Sequence, residues 1–496
     1  MLAVFLEHAE RWEHPAFAVG LLALIALLAL TRPTRVGLLL FLVVTTIQLV
    51  AMQFPDVANH VNLILYVNLL LICSIGYSLT RAGACDSDDA WFDSIRPLLQ
   101  LTLVLVYFLA GFHKLNTDFI NPDVSCVQRT ITQLRQVFRT SLLGIPAALV
   151  LGVGGAVVAF LLLARARLHR NVIRLLVLGG VMGTAIFALL PADAMDLPVK
   201  TIAASVLIVV VLCWELVGGP LLLVPRAQLA VVAFSWGMHA SLALVSFVDF
   251  GSLALALLFT FVPNNYQHLI GAPVTVLRRQ VPRPLCYLAL ALVVGLCNLW
   301  STLAAGIVFN AATLVVIWPL LTALVGRTPR LPWPGVPLRL AGTPRLFLLF
   351  PVVLLFHAFT GYLGLRTAGN FSMFSNLRTE GPRSNHLLLG SNPLKIWGYQ
   401  EDVVHFVEAY HQTARIGYNY QSLQGNSLPV VEFRKLIQWW TEAGRTVPLT
   451  FEYRGTRYST QDIVRDPTWR AKGWDWEMRL MDFRVIQVEG ANRCRW

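Results

Sequence analysis

This sequence predicts an all-α polytopic membrane domain of about 11–12 transmembrane helices, followed by a small C-terminal α+β extracytoplasmic domain. Three observations predict it. Of 496 residues, 56% are hydrophobic and 13% charged, against roughly 25% charged in a soluble domain, and the mean hydropathy is +0.62. Apolar runs of membrane-crossing length recur through residue 365 and then stop. Arginines gather in short loops between those runs, as the positive-inside bias requires.

In chain order, residues 1–14 read as a short amphipathic stretch at an interface. Runs near the required length of about 20 residues follow at 16–31, 36–54, 61–80, 98–115, 142–163, 174–191, 201–224, 228–247, 285–304, 306–325 and 345–365. A twelfth, Gly251 to Val262, has the length of a half-span. Arg165, Arg167, Arg170 and Arg174 mark one inside loop, Arg278, Arg279 and Arg283 a second, and Arg327, Arg330, Arg339 and Arg345 a third. For these loops to share a side, the short run must cross. The loop with Asp193 and Asp196 then lies outside, with everything after Leu365. The acidic loop from Cys85 to Asp93 falls inside, and acidic residues count little in this rule. Glu7, Glu10 and Glu13 precede the first long run without a small-residue cleavage site, so the first helix is expected to direct insertion.

The net charge of +12 does not indicate nucleic acid, because the arginines are spread over loops between spans. The seven cysteines contain no C-x-x-C pair, which excludes a zinc or redox motif of that kind. Cys73, Cys213, Cys286 and Cys297 lie in apolar runs and are expected to pack as small hydrophobes. Cys85, Cys126 and Cys494 are left for loops. Cys85 and Cys126 sit at opposite ends of one span and are not expected to pair.

Residues 1–365 thus form the membrane domain and 366–496 the outer domain. In the latter, Pro429 to Glu442 has helical spacing, with Val430, Phe433, Leu436, Ile437 and Trp440 on one side. Leu449 to Tyr453 and Thr456 to Ser459 flank Arg454-Gly455 as a hairpin. Trp469, Trp474 and Trp476 are expected to pack this domain or touch lipid headgroups.

The chemistry centres on YFLAGFHKLNTDFINPDVSC, Tyr107 to Cys126, where an apolar run stops on His113 and Lys114. His60, after Asn59, opens the preceding span from the same side; His239 and His357 sit in the outer halves of theirs. Ionisable groups within spans are candidates for function. A lysine near a helix end also snorkels to the interface, and a histidine inside a span also serves as a hydrogen bond between helices. His113 points about 100° round the helix from Lys114, so the two have different neighbours.

YFLAGFHKLNTDF resembles the signature of the vitamin K-dependent γ-carboxylase family and its wider superfamily of bacterial HTTM membrane proteins. There an aromatic-rich helix runs into a small-residue Ala-Gly turn, then Lys-Leu and an acidic-aromatic tail. Asn59-His60, Arg96 and His239 resemble family residues by their order along the chain, and the likeness covers roughly residues 1–300. The resemblance implies an enzyme that uses reduced vitamin K or menaquinol, with O2 and CO2 as co-substrates, to carboxylate peptide glutamate. Lys114 would be the base, with His60 and His239 orienting the quinol oxygens or relaying protons; Asn59, His113, Asn116, Arg96 and His357 would surround the quinone. Desolvation can free a buried lysine of its proton near neutrality. Two departures stand out. The carboxylases carry two adjacent lysines where this chain has His113-Lys114, and the part after Leu365 does not resemble their peptide-holding region.

The segment Phe371 to Leu389 resembles instead a block found in bacterial relatives of unassigned function. Its Asn376, Arg378, Glu380, Asn385 and His386 follow the last span directly, where they can roof the site. Ser375 and His386 lack the strand-turn-helix elbow of a serine hydrolase. Membrane lipid, and a peptide or protein at the outer domain, are the expected partners. The other reading is a non-catalytic membrane protein, a lipid or partner binder or a transporter, in which Lys114 recognises an anionic headgroup. No inverted repeat of the transporter kind is visible.

Overall fold

The computed structural model describes residues 34–53, 58–81, 87–139, 141–142, 145–146, 197–263 except 246, residue 293, 302–325, and 335–494 apart from 381–383, 391–393, 410–411, 417–418, 471, 488–489 and 493. The runs at 16–31, 174–191 and nearly all of 285–304 lie outside the described residues, as does the run at 142–163 beyond residue 146, with Cys85, Cys286 and Cys297.

The described apolar runs are helical: α1 (Arg35–Gln53), α2 (Asn59–Thr80), α3 (Asp88–Lys114), α6 (Leu197–Cys213), α7 (Gln228–Ala243), α8 (Val248–Leu258), α9 (Thr302–Val325) and α10 (Leu349–Phe359). Short α4 (Thr117–Ile120) and amphipathic α5 (Cys126–Arg139) fall between α3 and α6. Asn59–Thr80, Asp88–Lys114 and Thr201–Leu221 are long and apolar enough to cross a membrane. The described start of the run at 142 is a two-residue ladder, β1 (Ser141–Leu142) with β2 (Ile145–Pro146).

α3 begins ten residues before the apolar run that marks it. Ser87 Oγ accepts a hydrogen bond from Ala90 N at 3.2 Å, and Asp88 and Asp89 occupy the first turn. Cap and acids both favour a helix start, so the apolar run shows only the buried part of a longer helix. Its last turn carries His113 and Lys114, which suit the negative helix end. Ala110-Gly111 is not a turn but lies within this helix. Cys73 and Cys213 are exposed on helix surfaces instead of packing inside.

After α6 the chain winds as a π-helix over Trp214–Gly218 and closes with one turn, Gly219–Leu221. This segment lies along α3 at very short range. A Cβ on Gly111 would meet Glu215 Cβ at 2.8 Å, and one on Gly219 would meet Tyr107 Cβ at 2.7 Å. Small residues at both contacts let the backbones approach, as between helices in apolar surroundings.

The C-terminal part is an antiparallel sheet in the order β8-β7-β3-β6-β9, formed by β3 (Val403–Glu408), β6 (Asn426–Pro429), β7 (Leu449–Tyr453), β8 (Thr456–Thr460) and β9 (Ile486–Gln487). A separate hairpin pairs β4 (Thr413–Ile416) with β5 (Asn419–Ser422). α11 (Val430–Glu442) packs Phe433, Leu436, Ile437 and Trp440 against Val404, Phe406, Leu428, Leu449 and Phe451 of the sheet. Trp469 closes this core at Phe433, Phe451, Tyr453 and Tyr458. Arg454 (φ 48°) and Gly455 (φ 76°) make the predicted β7–β8 turn, whose two left-handed residues match the strand twist.

An ionic cluster lies under α11. Lys435 Nζ is 2.8 Å from Glu432 and 3.7 Å from Asp482, and Arg366 reaches Asp482 at 3.5 Å. Burial, reinforced by Asp482 and opposed by Lys435, raises the Glu432 carboxyl from 4.5 to about 7. A carboxyl raised by folding stabilises the fold below its unfolded value, and that contribution is lost as pH rises through the folded value. Urea unfolding of the full chain, followed by tryptophan fluorescence, is therefore expected to show stability falling as pH rises across that window. Glu432→Gln should flatten the slope; an unchanged slope would remove Glu432 as its source.

A disulfide joins Cys126, at the start of α5, to Cys494. Cys126 opens a helix instead of lying in a loop, and 368 residues separate it from Cys494.

Candidate functional site

Tyr107, Gly111 and Lys114 are spaced so that they share one face of α3; seven residues are nearly two turns, about 10 Å along the axis. That face meets the π-helical segment. Lys114 Nζ donates to Glu215 Oε1 at 2.9 Å and lies 2.8 Å from Oε2, with side-chain exposures of 5% and 12%. One turn before Gly111, the Tyr107 hydroxyl is 2.7 Å from His239 Nε2 on α7. Tyr107 also meets Trp214 edge to face at 5.7 Å between ring centroids, and Trp214 packs on Phe234. A π-helix turns its side chains out of the ordinary register and occurs often at functional sites. Here it turns consecutive residues, Trp214 and Glu215, toward Tyr107 and Lys114.

His60 pairs with Asp249, the second residue of α8, at 2.8 Å. The next residue, Phe250, meets the His239 ring edge to face at 5.2 Å. Lys114, His239 and His60 thus each hold a different partner, Glu215, Tyr107 and Asp249, along one seam of α2, α3, α7, α8 and the π-segment. Glu215, Asp249 and Tyr107 were not singled out from the sequence. A signal existed for the first two: each is a lone acid in an apolar stretch, LCWELVGG and SFVDFGS, and such a residue needs a partner within the protein.

His113 faces another way, as its 100° offset requires. Its Nδ1 lies 2.9 Å from the Tyr362 hydroxyl, with the rings stacked at 5.5 Å. Arg484 from the C-terminal part is bonded to the Leu377 carbonyl at 2.6 Å. Burial pulls its guanidinium below the ordinary range, and Glu380, Asp482 and Tyr362 oppose this. Glu380 Oε2 accepts from Thr379 N at 3.0 Å, and the Arg378 backbone N–H binds Asn385 Oδ1 at 2.8 Å.

The Phe371–Leu389 segment clasps the end of α3. Thr117 N donates to the Asn385 carbonyl, Leu387 N donates to the Leu115 carbonyl, and Asn116 bridges His386. His386 Nδ1 accepts from Leu388 N and Leu389 N, both at 3.2 Å, which leaves Nε2 as the donor to the Phe112 carbonyl at 2.8 Å. With both nitrogens so engaged, His386 is a structural pin. Burial, partly offset by the Phe112 contact, lowers its affinity for a second proton. Ser375 Oγ donates to the Ser372 carbonyl at 2.5 Å, away from any nucleophile-base arrangement.

Other candidates also hold backbone. Asn116 Oδ1 accepts from Phe119 N, and its Nδ2 donates to the carbonyls of His113 and Ser375. Asn59 Oδ1 accepts from Phe371 N at 2.5 Å, and His357 Nε2 donates to the Gly369 carbonyl at 2.8 Å. Asn376, with φ 53°, accepts from Cys126 N and donates to the carbonyls of Val124 and Asn492. Phe371, Phe374 and Asn376 all have positive φ, a strained conformation that these contacts hold in place. Arg96 stands apart from Lys114. It binds the carbonyls of Thr260 and Val262 at the end of the α8 segment, eighteen residues or about 27 Å along the helix axis.

A reduced quinone would bring a flat ring with two hydroxyls. Trp214 Nε1 and His239 Nδ1 are buried and have no hydrogen-bond partner among the described residues. They stand beside the Tyr107, Phe234 and Phe250 rings. Buried polar atoms of this kind call for a partner. A donor and a ring nitrogen among aromatic walls suit the quinol, and Trp214 and His239 are the residues that would hold it. Among the described residues there is no His/Cys/Asp/Glu group able to hold a metal.

Fold and site together define a helical protein with apolar helices of membrane-crossing length and a C-terminal antiparallel sheet, in which a buried lysine-glutamate pair lies at the end of a helix that one loop holds by its backbone. No protein-family model matches the chain, and no curated protein or solved structure matches it.

Proposed function

We propose that the chain is a multi-pass membrane enzyme of about 11–12 spans that uses a reduced quinone and O2, with Lys114 handling the quinol proton and peptide glutamate as the group to be carboxylated with CO2. The observation that carries this reading is Lys114 buried against Glu215 on a π-helical segment, with Trp214 Nε1 and His239 Nδ1 lacking hydrogen-bond partners among the described residues. The quinol supplies the reducing power for reaction with O2. Trp214 and His239 orient its hydroxyls, the Tyr107 hydroxyl sets which His239 nitrogen is free, and the clasp formed by Phe371–Leu389 excludes water from the Lys114 end. The Cys126–Cys494 disulfide supports an extracytoplasmic C-terminal domain, since such bonds persist in oxidising compartments.

The Lys114–Glu215 pair also weighs against headgroup capture. A lysine whose charge is already met by a carboxylate gains little from an anionic lipid. Purified protein in lipid, given vitamin K hydroquinone or menaquinol under O2, is expected to form epoxide, and Lys114→Ala to form none. Folded wild-type protein that makes no epoxide with either quinol would sink the enzyme reading.

A further inference from the structure

An ion pair changes which side chain ends up with the proton. Lys114 Nζ contacts both carboxylate oxygens of Glu215, at 2.9 and 2.8 Å, and the amine of such a pair is already protonated. It has no lone pair with which to take a proton from a hydroxyl. We propose that Glu215 is the terminal proton acceptor of the site, and that Lys114 is a relay which is an ammonium before and after the transfer. The inference rests on the quinol reading above.

The step balances without a further reactant. The quinol O–H bond breaks with its electron pair remaining on the ring oxygen. An ammonium proton of Lys114 passes to a Glu215 oxygen, its N–H bonding pair stays on the nitrogen, and that lone pair takes the quinol proton. The carboxylate becomes a carboxylic acid, and Lys114 ends as it began, an ammonium facing the negative ring oxygen. One negative charge has moved from Glu215 to the ring oxygen, and the net charge of the site is unchanged. In low-dielectric surroundings a shift between neighbouring groups costs far less than creating an isolated charge.

Three features of the structure favour this division of work. Glu215 lies on the π-helical segment. Gly111 has no Cβ to hold the Glu215 stem away from α3, since one built there would approach Glu215 Cβ to 2.8 Å. Trp214, whose Nε1 has no partner among the described residues, precedes Glu215 directly, so one segment offers both a hydrogen-bond donor for the quinol and the acceptor for its proton.

The test binds menaquinol anaerobically to full-length protein in lipid, where no turnover occurs, and follows two signals. One is the infrared C=O band of a newly protonated carboxyl, identified with ¹³C-glutamate; the other is the absorbance of the ionised quinol across pH. Wild type is expected to show both. Glu215→Gln, which keeps the shape, should lose the carboxyl band and show roughly ten-fold less ionised quinol at neutral pH, equivalent to one pH unit. Glu215→Asp should restore both in part, which a purely structural role would not do. Thermal unfolding identifies which variants are folded, and where Gln fails to fold, the carboxyl band in wild type and Glu215→Asp decides. Quinol that binds and ionises without that band, or equally well in folded Glu215→Gln, overturns the relay and leaves the quinol reading standing. Quinol that binds to neither protein overturns both.

Discussion

Glu215→Leu is expected to destabilise the protein by about 3–5 kcal/mol, because it leaves the Lys114 ammonium buried without its partner. Lys114 retains the Ala110 carbonyl at 3.4 Å, which is too long to compensate. Lys114→Met strands the carboxylate in the same way. The double replacement, Lys114→Met with Glu215→Leu, removes both charges and is expected to recover most of the loss, since an apolar pair of similar volume is often neutral or better than a buried ion pair. The measurement is a double-mutant cycle by thermal or denaturant unfolding in one detergent. Single and double variants whose losses simply add would show that the two side chains do not interact. The cycle also separates function from stability: the double variant is expected to be folded and inactive, a result that would assign the pair to the proposed chemistry and not to the fold.

Much of the fold is legible in the sequence because its signals are local. The positions of α1, α2, α7, α9 and α11 follow from apolar runs and helical spacing, and the β7–β8 hairpin follows from Arg454-Gly455 between alternating strands. The start of α3 is not marked by hydropathy, because its first turns are polar and depend on the Ser87 cap. The Cys126–Cys494 bond joins residues 368 apart and is set by the tertiary fold alone.

The site divides along the same line. Lys114, His239 and His60 stand out as ionisable residues in apolar surroundings, and each has a buried partner. Their partners are harder to read. Tyr107 looks like one more aromatic in a hydrophobic run until α7 brings His239 to its hydroxyl. The polar residues of Phe371–Leu389 suggest a lining, yet His386 and Asn376 spend their hydrogen bonds on backbone, and Asn385 binds the Asn376 carbonyl and the Asp118 carboxylate. A loop that crosses a helix end with three left-handed non-glycine residues needs such bonds to hold it. Composition cannot distinguish polar groups that line a site from those that hold a loop.

Gly111→Val is expected to cost about 1–3 kcal/mol by overpacking and to break the Lys114–Glu215 pair. A Cβ at this position meets Glu215 Cβ at 2.8 Å and Leu216 Cγ at 2.9 Å. Contacts of that length require one segment to move. The π-segment has little room to yield, because Gly219 brings it equally close to Tyr107, at 2.7 Å. The α3 face must therefore separate from Trp214–Gly218, carrying Lys114 away from Glu215. Gly76 on α2 and Gly237 on α7 are controls of the same residue type, since no described residue lies within 4 Å of a Cβ built on either. Alanine at those two positions is expected to be neutral, or stabilising by roughly 0.5–1 kcal/mol through helix propensity. Thermal unfolding of the three variants checks the stability order, and the accessibility of Lys114 to an amine-reactive label checks the pair. Gly111→Val with wild-type stability and an unchanged labelling rate would mean that α3 and the π-segment do not need this close contact. A variant that folds, labels faster at Lys114 and forms no epoxide would tie the glycine to the chemistry through the spacing it permits.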